Sequence, residues 1–201
     1  TNEWYAVAKI AGIKLCQAYW AQHGFHAICL MPTNLYGPGD NFHLQNSHVL
    51  PALVRRLHEA RVEGRAEITL WGTGTPRREF LHVDDLAAAA VFLMQHYDEP
   101  EIVNVGTGDD LTIADLAQMI ATEVGYRGKI LFDASKPDGT PRKLLDVSRL
   151  HAMGWHHRIS LADGIRSTYD WFLNNANDAA GQPRTPVTIE REISSLSPSS
   201  T

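Results

Sequence analysis

The residues whose spacing most clearly suits chemistry are Tyr5 and Lys9, in the run Tyr5-Ala-Val-Ala-Lys9. Side chains four apart on a helix share one face and lie next to each other. A phenol titrates near pH ~10, too high to exchange protons freely at neutrality, and an adjacent ammonium favours its charged form. A carbonyl reductase requires that pairing: a tyrosine to protonate the developing alkoxide, and a lysine to tune it and bind a ribose hydroxyl. Taken alone, the same spacing also describes an ordinary surface pair.

Other candidates are weaker singly. His48 offers an imidazole, the side chain most often used in general acid–base exchange, but a histidine there also reads as a helix-cap neighbour bonded through one nitrogen. Arg56 and Arg78 offer guanidinium forks that match phosphate oxygens, and Trp71 offers a flat face to a base or sugar. Lys136 and Asp138 sit in a loop bounded by Gly and Pro. Each of these fits a solvated charge or a core aromatic equally well. Gly72-Thr-Gly74 and Gly106-Thr-Gly108 lack the third glycine of GxGxxG and read as turns. His43, His82 and His96 lack ligand spacing, and His156 and His157 are adjacent, so no metal site is expected. Cys16 and Cys29 form no CxxC and are expected to be buried, reduced and inert.

These residues must be positioned by a chain of 201 residues, long enough for one domain or a little more with its own core. A formal net charge of -5 argues against general attraction to nucleic acid or to an anionic membrane, so any phosphate must be held by local basic residues. No apolar run approaches the roughly 20 residues of a membrane helix. Cysteine usage suits a cytoplasmic protein.

Thr1 and Asn2 are helix-cap types, and Trp4, Ala8, Ala11, Leu15 and Tyr19 recur at helical spacing, which predicts a helix over residues 2–23. Because Thr1 falls inside a helix start, the natural chain is expected to begin earlier. Residues 26–31 are nearly all apolar and stop at Pro32, the pattern of a strand covered on both faces. Residues 33–47 read as a long functional loop. Further helices are expected over residues 49–63, from a cap at Asp84 and Asp85 to His96, from Thr112 to Gly125, and over 148–153 and 160–174. Strands are expected over 67–71, 79–81, 102–105 and 129–132. The Ser-, Pro- and Thr-rich stretch after Asn175 reads as disordered. Alternating strands and helices argue for an α/β fold with a mostly parallel component.

The first helix, the strand after it and Met31-Pro-Thr-Asn-Leu-Tyr-Gly-Pro38 together resemble the extended short-chain dehydrogenase/reductase family. Three longer runs are similar to the GDP-L-fucose synthases within that family: Asn41-Phe-His-Leu-Gln-Asn-Ser-His-Val-Leu-Pro51, Trp71-Gly-Thr-Gly-Thr-Pro-Arg-Arg-Glu-Phe-Leu-His-Val-Asp-Asp85 and Phe132-Asp-Ala-Ser-Lys-Pro-Asp-Gly-Thr-Pro-Arg-Lys143. The resemblance covers about residues 1–176. It implies the C-terminal part of an NAD(P)-binding Rossmann-type doubly wound fold plus a smaller α/β substrate-binding domain. Residues 1–48 would end the dinucleotide domain, 49–176 would be mainly the substrate domain with segments returning to the first, and 177–201 a tail.

The resemblance also implies roles. Tyr5 becomes the proton donor in reduction, with Lys9 its partner, and His48 the acid/base of epimerisation. Pro32, Thr33, Asn34 and Leu35 would line NADP(H) together with Tyr5, Lys9 and His48. Arg56 and Arg78 would hold a nucleotide diphosphate, Trp71 the nucleotide, and Asp138 with Lys136 the substrate. The implied reaction is NADPH-dependent 3,5-epimerisation and 4-reduction of GDP-4-dehydro-6-deoxy-D-mannose to GDP-L-fucose, in a cytoplasmic homodimer. The family's catalytic Cys and Ser and its glycine fingerprint have no match in these residues, so the chain alone is expected to be inactive and poorly stable. Another nucleotide-sugar epimerase or dehydratase, or a non-catalytic nucleotide-sugar-binding module, stands as the alternative.

Overall fold

Pairs of short parallel strands, joined through helices, form the scaffold. A computed structural model describes residues 3–43 and 46–175. In chain order the elements are α1 (Glu3–His23), β1 (Leu30–Pro32), β2 (Asn34–Tyr36), α2 (Val49–Val62), β3 (Glu67–Trp71), β4 (Arg77–Arg78), β5 (Phe80–His82), α3 (Val83–His96) and β6 (Val103–Val105). There follow β7 (Leu111–Thr112), α4 (Ile113–Val124), β8 (Lys129–Asp133), β9 (Arg142–Lys143), α5 (Ser148–Ala152) and α6 (Leu161–Asn174). β1 runs parallel to β6, β2 to β5 and β3 to β8. β4 lies between β7, antiparallel, and β9, parallel. Parallel neighbours need crossover connections, and the helices supply them.

Capping chemistry sets several boundaries. Thr112 accepts the Asp115 N–H at 3.0 Å and starts α4, which stops at Gly125 in the left-handed region. Ser160 starts α6 by accepting the Asp163 N–H at 3.1 Å. One apolar cluster gathers Leu50, Leu53, Val54 and Leu57 of α2, Leu116 and Ile120 of α4, and Ile165, Tyr169 and Phe172 of α6 against Ile68 and Leu70 of β3. A second joins Leu81, Ala89, Leu93, Val103, Val105, Leu150 and Trp155.

The structure departs from the sequence reading in the strand after α1, the loop beyond it, the cap of α3 and the burial of the cysteines. The strand after α1 starts four residues late, at Leu30, because its register with β6 begins at the Leu30–Val103 pair. It is not covered on both faces: Met31 and Pro32 are exposed, and β6 is its one ladder partner among the described residues. Residues 33–47 are not all loop, since Asn34–Tyr36 form β2, and Phe42 beyond it is buried against Trp171 and Phe172. The cap of α3 is His82, whose Nδ1 accepts the Asp84 N–H at 3.2 Å, while Asp85 turns inward to accept the Arg158 and Ile159 amides. Cys16 and Cys29 are half-buried rather than buried. The burial that does exist raises the Cys29 thiol, and Cys16 beside it adds to the effect. Helix α1 forms as its spacing predicts, but none of its side chains is fully buried, and Trp4 is 84% exposed. The proposed cap at Thr1 and Asn2 and the tail 177–201 lie outside the described residues.

One contact between the helices and β2 is open to test. Gly164 sits inside α6, where alanine would ordinarily favour the helix by up to ~1 kcal/mol. A Cβ there would collide with the buried Tyr36 ring and hydroxyl. Gly164→Ala should therefore destabilise, by about 1–3 kcal/mol, in chemical denaturation. A stabilised variant would show that α6 and Tyr36 do not pack this way.

Candidate active site

The inner wall of the site is organised on Glu79, between β4 and β5. Its side chain is fully buried, at 0% exposure. Oε1 accepts the Thr107 N–H at 2.6 Å and the Gly108 N–H at 2.8 Å, and Oε2 accepts the Leu145 N–H at 3.0 Å. The Glu79 backbone carbonyl accepts Asn34 Nδ2 at 2.7 Å and Thr33 Oγ1 at 3.3 Å. Thr33 N–H in turn donates to the Val105 carbonyl at 3.0 Å. Pro32, Thr33, Asn34 and Leu35 are thus fixed as the end of β1 and the start of β2, against Glu79 and β5, which follow Arg78 in the chain.

Trp71, Arg78, Lys136 and Asp138 come together around the turn after β3. Trp71 ends β3 with 70% of its surface exposed, and Lys136 Nζ lies 5.8 Å from its ring centroid. Asp138 closes the turn between β3 and β4 by accepting the Thr73 N–H at 2.9 Å and the Thr73 Oγ1–H at 2.7 Å. Only glycine fits at position 72: its φ is 85°, and a Cβ would run into the Asp138 carboxylate. Arg78 donates from Nη1 to the Arg77 carbonyl at 2.7 Å, and its Nη2 lies close to Gly139. The turn Gly72-Thr-Gly74 and the loop carrying Lys136 and Asp138 therefore form one rim with Arg78.

The neighbouring cations are sorted by Asp110. It accepts from Arg77 Nε at 2.7 Å and from Arg142 Nε, so both guanidiniums are committed to one carboxylate. The hydrogen bond from Arg142, then that from Arg77, holds Asp110 below the usual carboxylate range. The Thr73 hydroxyl and N–H do the same for Asp138.

Tyr5 and Lys9 share a face of α1 as the four-residue spacing requires, with Lys9 Nζ 5.4 Å from the Tyr5 ring centroid. Tyr5 is 68% exposed, and among the described residues no hydrogen bond joins this pair to the other candidates. His48 is the N-cap residue of α2 through its backbone, and its imidazole makes no capping bond, which leaves the ring for other work. Arg56 lies two turns along the same helix, half-buried. The sequence reading missed Glu79, Thr73, Asp110 and Arg142. Glu79 and Thr73 stand inside runs already quoted, but a Glu between Arg78 and Phe80 reads as a surface charge until its partners, 28 to 66 residues away, are known.

Both depressed carboxyls contribute stability that is complete above the unfolded-state value near ~3.9 and is lost as pH falls through the folded value. Melting temperature should therefore fall on the acid side of about pH 4. Asp110→Asn and Asp138→Asn should each melt lower at neutral pH and show a flatter acid limb. An unchanged acid limb in both variants would exclude these clasps as its source.

Comparison with known proteins identifies the family and the fold. A GDP-L-fucose synthase of Arabidopsis thaliana is 62% identical over 175 residues, covering 87% of this chain and 54% of that protein. The GDP-L-fucose synthase of Escherichia coli (strain K12) is 58% identical over 190 residues, covering 90% and 59%. The crystal structure of a GDP-L-fucose synthetase from Naegleria fowleri bound to NADP superposes with a TM-score of 0.82 at 29% identity, covering 88% of this chain and 57% of that one. The chain thus spans little more than half the length of the relatives it matches. The α/β fold expected from the sequence is theirs over that span. Residues 1–106 match the NAD dependent epimerase/dehydratase family, and the chain belongs to it.

Proposed function

We propose that the protein is an NADP(H)-dependent enzyme that epimerises GDP-4-dehydro-6-deoxy-D-mannose at C3 and C5 and reduces it at C4 to GDP-L-fucose. The observation that carries this reading is the wall around Glu79. It sets the Thr33–Asn34 segment beside Arg78, on the rim shared with Trp71, Lys136 and Asp138. Identity of 58–62% to GDP-L-fucose synthases over most of the chain supports it.

The residues present fit the nicotinamide-ribose end of the cofactor. Lys9 offers donors to ribose hydroxyls beside Tyr5, and Pro32, Thr33, Asn34 and Leu35 form a rim held rigid through Glu79. In this reading His48, whose ring makes no capping bond, joins them at the cofactor. The sequence carries no GxGxxG, so these residues do not provide a pyrophosphate loop. NADP(H), when bound, supplies the hydride for C4.

This chain's own residues supply positioning and protons. Arg56 and Arg78 hold the diphosphate with charge-assisted bonds, and Trp71 with Lys136 offers a face and a cation to the nucleotide or sugar. Asp138, both of whose oxygens are occupied by Thr73, acts by shaping that rim. The C4 ketone acidifies C3 and C5, and the uncommitted imidazole of His48 moves protons there. Tyr5 protonates the alkoxide that forms at C4, with Lys9 stabilising its phenolate. One site performs both steps because one ketone activates both. The homodimer and the cytoplasmic setting belong to this proposal, the first supported by the apolar side chains that α1 leaves exposed.

The protein in its longest natural form should oxidise NADPH with GDP-4-dehydro-6-deoxy-D-mannose and not with GDP-mannose or UDP-galactose. Tyr5→Phe should slow NADPH oxidation by about 10²–10⁴-fold while solvent deuterium still enters at C3 and C5. His48→Asn should block the deuterium exchange. Calorimetric GDP binding without any NADPH oxidation would instead assign a binding module.

A further inference from the structure

Glu79 has no exposed surface and so cannot meet a ligand, yet each segment of the inner wall bonds to it. We infer that Glu79 is the positioning residue that sets both halves of the proposed site at once, Arg78 for the diphosphate and Thr33–Asn34 for the cofactor. The inference rests on the functional reading above.

Three features of the geometry lead to it. Arg78 ends β4 and Glu79 is the single residue between it and β5, so one peptide joins the buried carboxylate to the half-buried guanidinium and a shift of Glu79 moves Arg78 with it. The Glu79 N–H donates to the Lys143 carbonyl at 3.3 Å, and Arg78 pairs with Lys143 in the β4–β9 register, so carboxylate and strand are tied at the same point. The carbonyl of Glu79 takes both the Asn34 amide and the Thr33 hydroxyl, so the loop ending β1 follows any movement of this peptide.

The residue type is also constrained. Donors from Thr107 and Gly108 converge on one oxygen and the Leu145 amide on the other. An acceptor-only carboxylate satisfies all of them. Glutamine keeps one oxygen but turns an N–H toward the Leu145 N–H, donor against donor. Space for the group exists because residue 106 is glycine: a Cβ there would collide with Oε1.

The test uses the protein in its longest natural form. Glu79→Ala leaves three amides without acceptors and is expected to fail in folding, so Glu79→Gln is the informative variant. Calorimetry should show its Kd for GDP raised on the order of tenfold, with NADPH binding weakened as well. In an Arg78→Ala background the same change should weaken GDP no further, because the group it positions is gone. Two results would overturn the inference while leaving the functional reading intact: wild-type GDP affinity in Glu79→Gln whatever its melting temperature, or full additivity with Arg78→Ala. A loss confined to one ligand overturns the joint role. A wild-type protein that binds no GDP overturns the functional reading and this inference with it.

Discussion

The structure depends first on how one buried carboxylate is satisfied. Removing an ionised group from water is costly unless donors replace the lost hydration. Glu79 finds them in the amides of Thr107, Gly108 and Leu145, contributed by two segments far apart in sequence. Those amides belong to turns rather than to ladders, so they are the donors that would otherwise lack a partner. The exchange solves two problems together: the carboxylate is held without a cation drawn from the site, and the Gly106–Gly108 turn and the stretch after β9 are drawn to the β4–β5 junction.

Charge is divided in a second way by Asp110. Arg77, Arg78 and Arg142 all lie in the small sheet of β7, β4 and β9, where three guanidiniums would repel one another. One carboxylate neutralises two of them. Arg78 bonds to a backbone carbonyl and, among the described residues, forms no ion pair, so its charge is the one the proposed diphosphate contact uses. The Thr73–Asp138 clasp is the uncharged counterpart, closing the same rim by hydroxyl and amide donors.

Helix α1 shows the opposite situation. Trp4, Tyr5, Val7, Ile10, Leu15 and Tyr19 are all exposed and spread around its circumference. A helix apolar on every side ordinarily lies inside a larger assembly. Its contacts among the described residues lie toward its C-terminal half, where Gln17 donates to the Pro100 carbonyl and Cys16 meets Cys29, so Tyr5 and Lys9 keep their mutual geometry without being joined to His48 or Arg56. Local spacing fixes the pair, and only long-range packing could bring it against the rest.

Much was legible from residues alone. Helical spacing placed α2, α4 and α6 within a residue or two, and cap residues Thr112, Gly125 and Ser160 marked their ends, because these signals act over one helical turn. The strand Glu67–Trp71 and the ordered runs of motif around Arg78 and Asp138 were equally readable. What the sequence could not determine is which distant groups satisfy one another. Asn34–Tyr36 join a ladder within an apparent loop, and Glu79 turns inward, each because a partner tens of residues away supplies the missing donor or acceptor. The cap of α3 is local, but it falls to His82 because Asp85 turns inward to the Arg158 and Ile159 amides. Local propensity sets a residue's conformation. Whether its polar atoms face water or the interior is decided only when the chain folds and those partners arrive.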